Sequence, residues 1–184
     1  MNQSTDQEIM FAVKDGAVEQ LGILFERHHV ALYNFFLKLT SRTEVSEDLV
    51  QEVFYRILKF RTTFRGEAQF TTWMYQIARN ARADYFRKKR HLTGDLDSAH
   101  QMSDTNPGPE EIIEQKDNVK LLRAALQKLS PEKREVLILS RFQNLKYEEI
   151  SKIQGCAIGT IKARVFRALQ ELSQIYHELA GESL

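Results

Sequence analysis

An all-α chain of two small helical domains joined by an acidic flexible linker is the fold this sequence predicts, the second domain being a helix-turn-helix. Three observations carry that expectation. Only three Pro and eight Gly occur in 184 residues, few turn-formers for an all-β sandwich. Apolar residues return every three to four positions over long stretches, the period of an amphipathic helix, and no strand-like alternation is found. Charge is also segregated along the chain. Residues 79–91 hold six Lys/Arg against one Asp, whereas residues 93–119 hold seven acids and one Lys. The formal net charge of +1 therefore conceals a basic segment followed by an acidic one.

Taken in order, Ile9, Val13, Leu21, Leu24, Phe25, Leu32, Phe35, Phe36 and Leu39 keep helical spacing. Ser46 is the expected N-cap of a helix over 47–59, with Leu49, Val53 and Ile57 as its stripe. Arg65-Gly66 marks a loop, after which Thr71 or Thr72 would cap a helix running towards Arg90. Residues 93–110 are polar and include Gly94 and Asn106-Pro107-Gly108-Pro109, the strongest linker signal in the chain. Helices resume near Glu110. Ser130-Pro131 then gives an N-cap followed by proline at the first helical position. A short helix over 147–154, a turn at Gly155-Cys156-Ala157 and a helix from Ile158 or Gly159 towards Leu179 complete the pattern. The expected units are 1–92, a linker over 93–114, and 115–184.

Several classes are excluded or disfavoured. A single cysteine, Cys156, rules out an internal disulfide and a multi-cysteine zinc site. It reads as a small buried filler in its turn rather than a redox sensor. No apolar run approaches the roughly 18 residues needed to cross a bilayer. The N-terminus lacks the basic-then-apolar layout of a signal peptide. A cytoplasmic location without membrane insertion is expected. His28-His29 is the only hint of catalysis or metal binding, yet helical neighbours point about 100° apart and no carboxylate partner is evident. No enzyme activity, metal or cofactor is expected.

The functional signal lies in two basic segments interleaved with aromatics, residues 79–90 and 159–168. That composition suits contact with phosphates and bases. In the second segment, Ile161, Val165, Ala168 and Leu172 form a buried stripe, leaving Ala163, Phe166, Arg167 and Gln170 outward, flanked by Lys162 and Arg164. Together with the helix and glycine turn before it, this has the geometry that lays a helix in the major groove. Arg bridges a guanine edge and Phe packs on a thymine methyl. In the first segment, Met74, Ile77, Ala78, Ala81 and Tyr85 face inward, while Trp73, Gln76, Asn80, Asp84 and Arg87 line a neighbouring stripe. Aromatics crowd this half, nine of the chain's eighteen falling between Phe54 and Phe86. Phe54, Phe70 and Tyr85 are expected in the core, whereas Trp73 beside Gln76 and Asn80 suits a platform for unstacked bases. On the preceding helix, Asp48, Gln51, Glu52 and Tyr55 form an acidic outer face. That face would repel DNA, and it reads as a dock for a basic protein partner.

The runs Asp48–Phe54, Phe64-Arg65-Gly66, Thr72–Asn80 and Gly159–Arg164, in this order and spanning nearly the whole chain, resemble a bacterial RNA polymerase sigma factor of the extracytoplasmic-function (ECF) group. The resemblance implies a protein that directs core RNA polymerase to specific promoters and melts promoter DNA. It implies that Asp48, Gln51, Glu52 and Tyr55 bind core polymerase. Phe64 to Phe70 would form a loop accepting a flipped base of the minus-ten non-template strand. Phe64, Arg65, Trp73, Gln76, Arg79, Asn80, Asp84, Arg87 and Lys88 would hold that strand. Thr160, Lys162, Ala163, Arg164, Phe166 and Arg167 would read the duplex minus-thirty-five element. The acidic linker would thread towards the RNA exit path, and an anti-sigma factor is a further partner the resemblance allows. Family members often carry Ser where Lys146 stands and Ser or Pro where Ala157 stands, so both helices of the motif lack a usual cap, worth about 1 kcal/mol. The competing reading is a helix-turn-helix regulator that binds duplex DNA without polymerase. It explains residues 147–170 but leaves the acidic face and Trp73–Asn80 unused.

Overall fold

Helices make up every regular element among the described residues, 4–93 and 113–181 of a computed structural model. In chain order these are α1 (Asp6–Lys14), a 3-10 turn (Val18–Gln20), α2 (Leu21–Thr40), α3 (Thr43–Lys59), a second 3-10 turn (Arg61–Thr63) and α4 (Phe70–Thr93). Beyond residue 112 come α5 (Ile113–Lys128), α6 (Pro131–Leu137), α7 (Tyr147–Gln154) and α8 (Ile158–Ala180). The all-α expectation holds. The linker expected over 93–114 lies almost wholly outside the described residues.

The first unit is built on α2, whose Leu24, Leu32, Phe35, Phe36 and Leu39 are buried on one face. It packs along α3, and α3 along α4. Ser41 closes α2 in the left-handed region (φ 54°), its N–H donating to Leu37 O at 2.8 Å. That turn is tight, so α3 begins at Thr43, three residues before the expected cap. Ser46 therefore sits inside the helix, fully buried, with its hydroxyl donating back to Arg42 O at 2.6 Å. Likewise α4 begins at Phe70, which places Thr72 within the first turn and buries it. In both corrections a hydroxyl that suits a cap is used in the helix interior instead.

The second unit packs α8 across α5, α6 and α7. Ser130 and Pro131 stand at the start of α6 as expected, although the Ser130 side chain makes no capping bond. A widened π-helical turn (Ile138–Phe142) follows α6 and turns Gln143 towards the first unit. Ile161, Val165 and Ala168 of α8 are buried, as their spacing predicts.

The two units do not stand apart: one apolar cluster runs through both. Arg134 on α6 is one of the polar joints. Its guanidinium donates to Leu39 O at 3.0 Å at the end of α2, and to Leu126 O at 2.8 Å, Leu129 O at 3.0 Å and Gln127 at the end of α5. A cation at two helix C-termini completes carbonyls that have no helical partner. Burial, with Arg82 as a neighbouring cation, pulls its pKa down to about 10. It remains charged at neutral pH. Gln127 Nε2 donates to Lys38 O at 2.7 Å alongside.

Candidate nucleic-acid interface

On α3, Asp48, Gln51 and Tyr55 point to solvent, Tyr55 with 59% of its surface exposed. Glu52 is less free, because its Oε1 accepts from Arg56 Nε at 2.6 Å. The same Arg56 reaches α4, donating to Asp84 Oδ2 at 2.8 Å, and Asp84 Oδ1 lies 2.8 Å from Arg87. The hydrogen bond from Arg56 holds the Asp84 carboxyl below its ordinary pKa. Asp84 is thus half of a brace between the acidic face of α3 and the basic face of α4. Sequence spacing does not reveal Arg56, since its two partners lie on different helices.

Beside this brace, residues 63–68 and α4 form a cleft of about 420 Å³ lined by Thr63, Phe64, Arg65, Gly66, Glu67, Ala68, Trp73, Gln76 and, from the second unit, Lys152. Arg65 and Glu67 are exposed at its rim, 3.9 Å apart. Phe64 is buried to 2% exposure and packs, in tilted and edge-on contacts, with Phe11, Phe70 and Trp73. It is therefore a floor under the loop rather than a ring presented to solvent. Phe54 and Phe70 lie in the core as expected, and Tyr85 packs partly buried against it. Trp73 is half-buried, its ring 5.1 Å from Phe64 and 6.4 Å from Phe70, and one side borders the cleft. Asn80, Arg87 and Lys88 are exposed along α4.

Two residues of the expected strand-contacting stripe are instead engaged with the second unit. Gln76 Nε2 donates to Lys152 O at 3.0 Å. Arg79 Nε stands 3.2 Å from Glu135 Oε1, an ion-pair distance without the alignment of a hydrogen bond. Around them Tyr75 donates to Gln143 Oε1 at 2.7 Å, and Thr72 faces Glu149 at 3.5 Å. Burial raises the pKa of the Tyr75 phenol and of the Glu135 carboxyl, in the latter against the pull of Arg79, Arg82 and Arg164. Burial also lowers that of Arg82. This junction is electrostatically complementary, with Glu135 buried in it, and Glu135 Oε1 and Arg82 Nε have no hydrogen-bond partner among the described residues.

In the helix-turn-helix, α7 ends on Gly155 at φ +66°, a left-handed cap in which its N–H donates to Ser151 O at 2.9 Å. The Ser151 hydroxyl also closes the turn on Cys156 O at 2.5 Å. Lys146 has no side-chain acceptor to cap α7, but Glu149 supplies the other half of a capping box, taking the Lys146 N–H at 2.8 Å. On α8, Thr160, Lys162, Ala163, Phe166 and Arg167 are all exposed, Phe166 at 62%. Arg164 differs. It turns inward to Gln154 Oε1 at 2.7 Å and lies 3.7 Å from Glu132, pinning α8 to α7 and α6.

His28 does have a carboxylate partner, contrary to expectation: its Nε2 lies 2.6 Å from Asp6 Oδ2, and Arg27 lies 2.7 Å from Asp6 Oδ1. Asp6 is 22 residues away in sequence from His28, so the pairing has no local signal. It fastens α1 to α2. Among the described residues no cluster of His, Cys, Asp and Glu is arranged to hold a metal, and no helix is long and apolar enough to cross a membrane.

Comparison with known proteins matches two parts of the chain to family models: Sigma-70 region 2 over residues 24–92 and Sigma-70 region 4 over 120–172. The ECF RNA polymerase sigma factor EcfG of Rhodopseudomonas palustris is 34% identical over 80% of this chain and 80% of its own. The ECF sigma factor SigX of Bacillus subtilis is 30% identical over 90% of this chain and 88% of its own. Among solved structures, the sigma factor RpoE of Bartonella quintana, determined with the anti-sigma factor NepR, superposes with a TM-score of 0.70 at 30% identity, covering 84% of this chain and 94% of that one. CnrH, determined with the cytosolic domain of CnrY, gives 0.73 at 20% identity over 98% and 100%, a likeness of fold.

Proposed function

The chain belongs to the ECF RNA polymerase sigma factors, which direct core polymerase to promoters and are not enzymes, and on that premise we propose how its surfaces divide the work. The exposed acidic face of Asp48, Gln51 and Tyr55, with Glu52 held by Arg56, docks on a basic surface of core polymerase. Charge explains why this face serves protein and not DNA. The cleft bounded by Arg65, Glu67 and Trp73 takes one unstacked base of the minus-ten non-template strand. Asn80, Arg87 and Lys88 track its backbone, and Asp84 acts indirectly by orienting Arg87. A flipped base costs a few kcal/mol in lost stacking, which the cleft offsets only for a base that fits. Recognition and melting are then a single event. Phe166 and Arg167, with Thr160, Lys162 and Ala163, read the minus-thirty-five duplex, while Arg164 serves the fold of the motif. Action on polymerase and promoter places the protein in the cytoplasm, and an anti-sigma factor is a further partner, as in the complexes of RpoE with NepR and CnrH with CnrY.

The observation that carries this division is the pairing of an aromatic-floored cleft beside basic α4 with an exposed Phe-Arg face on α8. The described arrangement is the resting one. Elements named minus-ten and minus-thirty-five lie about 25 base pairs apart, or about 85 Å at 3.4 Å per base pair. Units that share one apolar cluster do not span that distance, so they part on polymerase, freeing Gln76 and Arg79 for the strand. The under-bonded Glu135 junction is suited to such parting. Units held on one polymerase then multiply two weak affinities through effective concentration.

Reconstitution tests this reading. Purified chain with core polymerase should give promoter-specific transcripts whose start sites share two upstream elements. A chain that binds duplex DNA and leaves core polymerase unspecific would favour the polymerase-independent regulator instead.

A further inference from the structure

The loop over residues 64–70 is held by α1, a helix outside the matched Sigma-70 region 2, which begins at residue 24. Thr5 and Glu8 form a capping box that starts α1 (Thr5 N to Glu8 Oε2, 2.7 Å; Glu8 N to Thr5 Oγ1, 3.3 Å). Asp6 anchors it to α2 through Arg27 and His28. From this fixed helix, the Gln7 carboxamide makes three hydrogen bonds to the loop. Its Nε2 donates to Gly66 O and Ala68 O, each at 3.2 Å, and its Oε1 accepts the Phe70 N–H at 3.0 Å. One helical turn and more further on, Lys14 Nζ donates to Phe64 O at 2.7 Å. Three carbonyls and one N–H of a seven-residue loop thus end on two α1 side chains.

The contact is also close. Gly66 has φ +73°, and a Cβ built there would fall 2.5 Å from Phe11 Cζ and 3.2 Å from Gln7 Nε2. Glycine at this point meets both requirements, a left-handed backbone and no side chain against α1. None of the α1 residues lines the cleft, so α1 grips the loop without occupying the space offered to a base. A loop with little internal bonding takes its shape from such an external frame.

We propose that Gln7 is a positioning residue for promoter selection: its carboxamide fixes the backbone of the 64–70 loop, and with it the placement of Arg65 and Glu67 around the base-accepting cleft. The inference rests on the reading that this cleft takes a minus-ten base. Gln7 touches no DNA. It acts through the loop, so its loss should blur the choice among bases more than it weakens binding overall.

The test uses holoenzyme assembled from full-length chain and core polymerase, with promoter templates carrying each of the four bases at every minus-ten position. For the parent, Gln7→Ala, Gln7→Glu and Trp73→Ala, the readouts are discrimination at each position, affinity for core polymerase and melting temperature. Gln7→Ala should lower discrimination about tenfold at one position, roughly one net hydrogen bond's effect, with core affinity unchanged. Gln7→Glu keeps the acceptor for Phe70 N–H but sets a carboxylate oxygen against the Gly66 and Ala68 carbonyls in place of the donor, so a loss at least as large as alanine's is expected, and it gives a second variant should the alanine protein fold poorly. If Trp73→Ala loses discrimination while both Gln7 variants select like the parent, the proposal is overturned and the cleft reading survives. If Trp73→Ala also selects like the parent, the cleft reading falls and this proposal with it. A uniform loss at all positions assigns Gln7 a purely structural role and equally overturns it.

Discussion

Replacing Phe166 by alanine isolates the proposed duplex-reading face from the stability of the fold, because 62% of this residue is exposed. A phenylalanine ring offers about 200 Å² for burial, of which the exposed share is about 120 Å². At about 25 cal/mol per Å², complete burial of that share on DNA is worth about 3 kcal/mol. A groove edge covers one side of a ring, so about half of this, near 1.5 kcal/mol, is the expected contribution, or about tenfold in affinity. Folding should hardly register the change. Alanine gains roughly 0.5 kcal/mol of helix propensity over phenylalanine at an interior position of α8, which offsets the small loss of packing. The assay is anisotropy of holoenzyme on fluorescent promoter duplexes with an intact or a scrambled minus-thirty-five element, beside a thermal melt. Phe166→Ala should bind the intact duplex about tenfold more weakly, bind the scrambled one as before, and melt within about 3 °C of the parent. An equal drop on both duplexes, or a melting point many degrees lower, would refute the assignment of this ring to base contact.

Two further outcomes are expected. Trp73→Ala should reduce formation of the open complex about 5- to 150-fold, the range for one base–aromatic stack of about 1–3 kcal/mol, while affinity for core polymerase stays near the parent's; permanganate footprinting against a polymerase-binding titration separates these, and equal losses in both would contradict the melting role. The junction between the units should depend on pH through Glu135. Burial raises its carboxyl pKa, so the compact arrangement binds that proton more tightly than the parted one. Its contribution is complete below the ordinary glutamate value of 4.5 and fades as pH rises through the raised value. Energy transfer between dyes at positions 19 and 173, in a Cys156→Ser background, should show the units loosening over that rise, whereas Glu135→Gln should stay compact without a step. Identical pH profiles for the two proteins would show that Glu135 does not set the pH response of the junction.

Local chemistry made some of this fold legible in the sequence. The end of α7 follows from Gly155, which takes the left-handed cap, and the stripe Ile161, Val165, Ala168 follows from helical period alone. The exposure of Phe166 and Arg167 follows from the same period, read from the other side. Hydroxyls were less decisive. Ser46 and Thr72 carry the chemistry of a cap, yet each lies within its helix, because the preceding turn, not the hydroxyl, sets where the helix starts.

Sequence by itself therefore determined where most helices lie, which faces are apolar and which segments are basic or acidic, since each depends on neighbours a few positions away. Only the tertiary structure decided which polar side chains remain available. Arg164 is withdrawn to Gln154, Gln76 and Arg79 are taken up by α7 and α6, and Asp84 is braced by Arg56. Gln7 reaches Phe70 across 63 residues, and Gln76 reaches Lys152 across 76. A hydrogen bond requires its partners within about 3 Å, and no periodicity within a helix encodes which distant helix supplies the other atom.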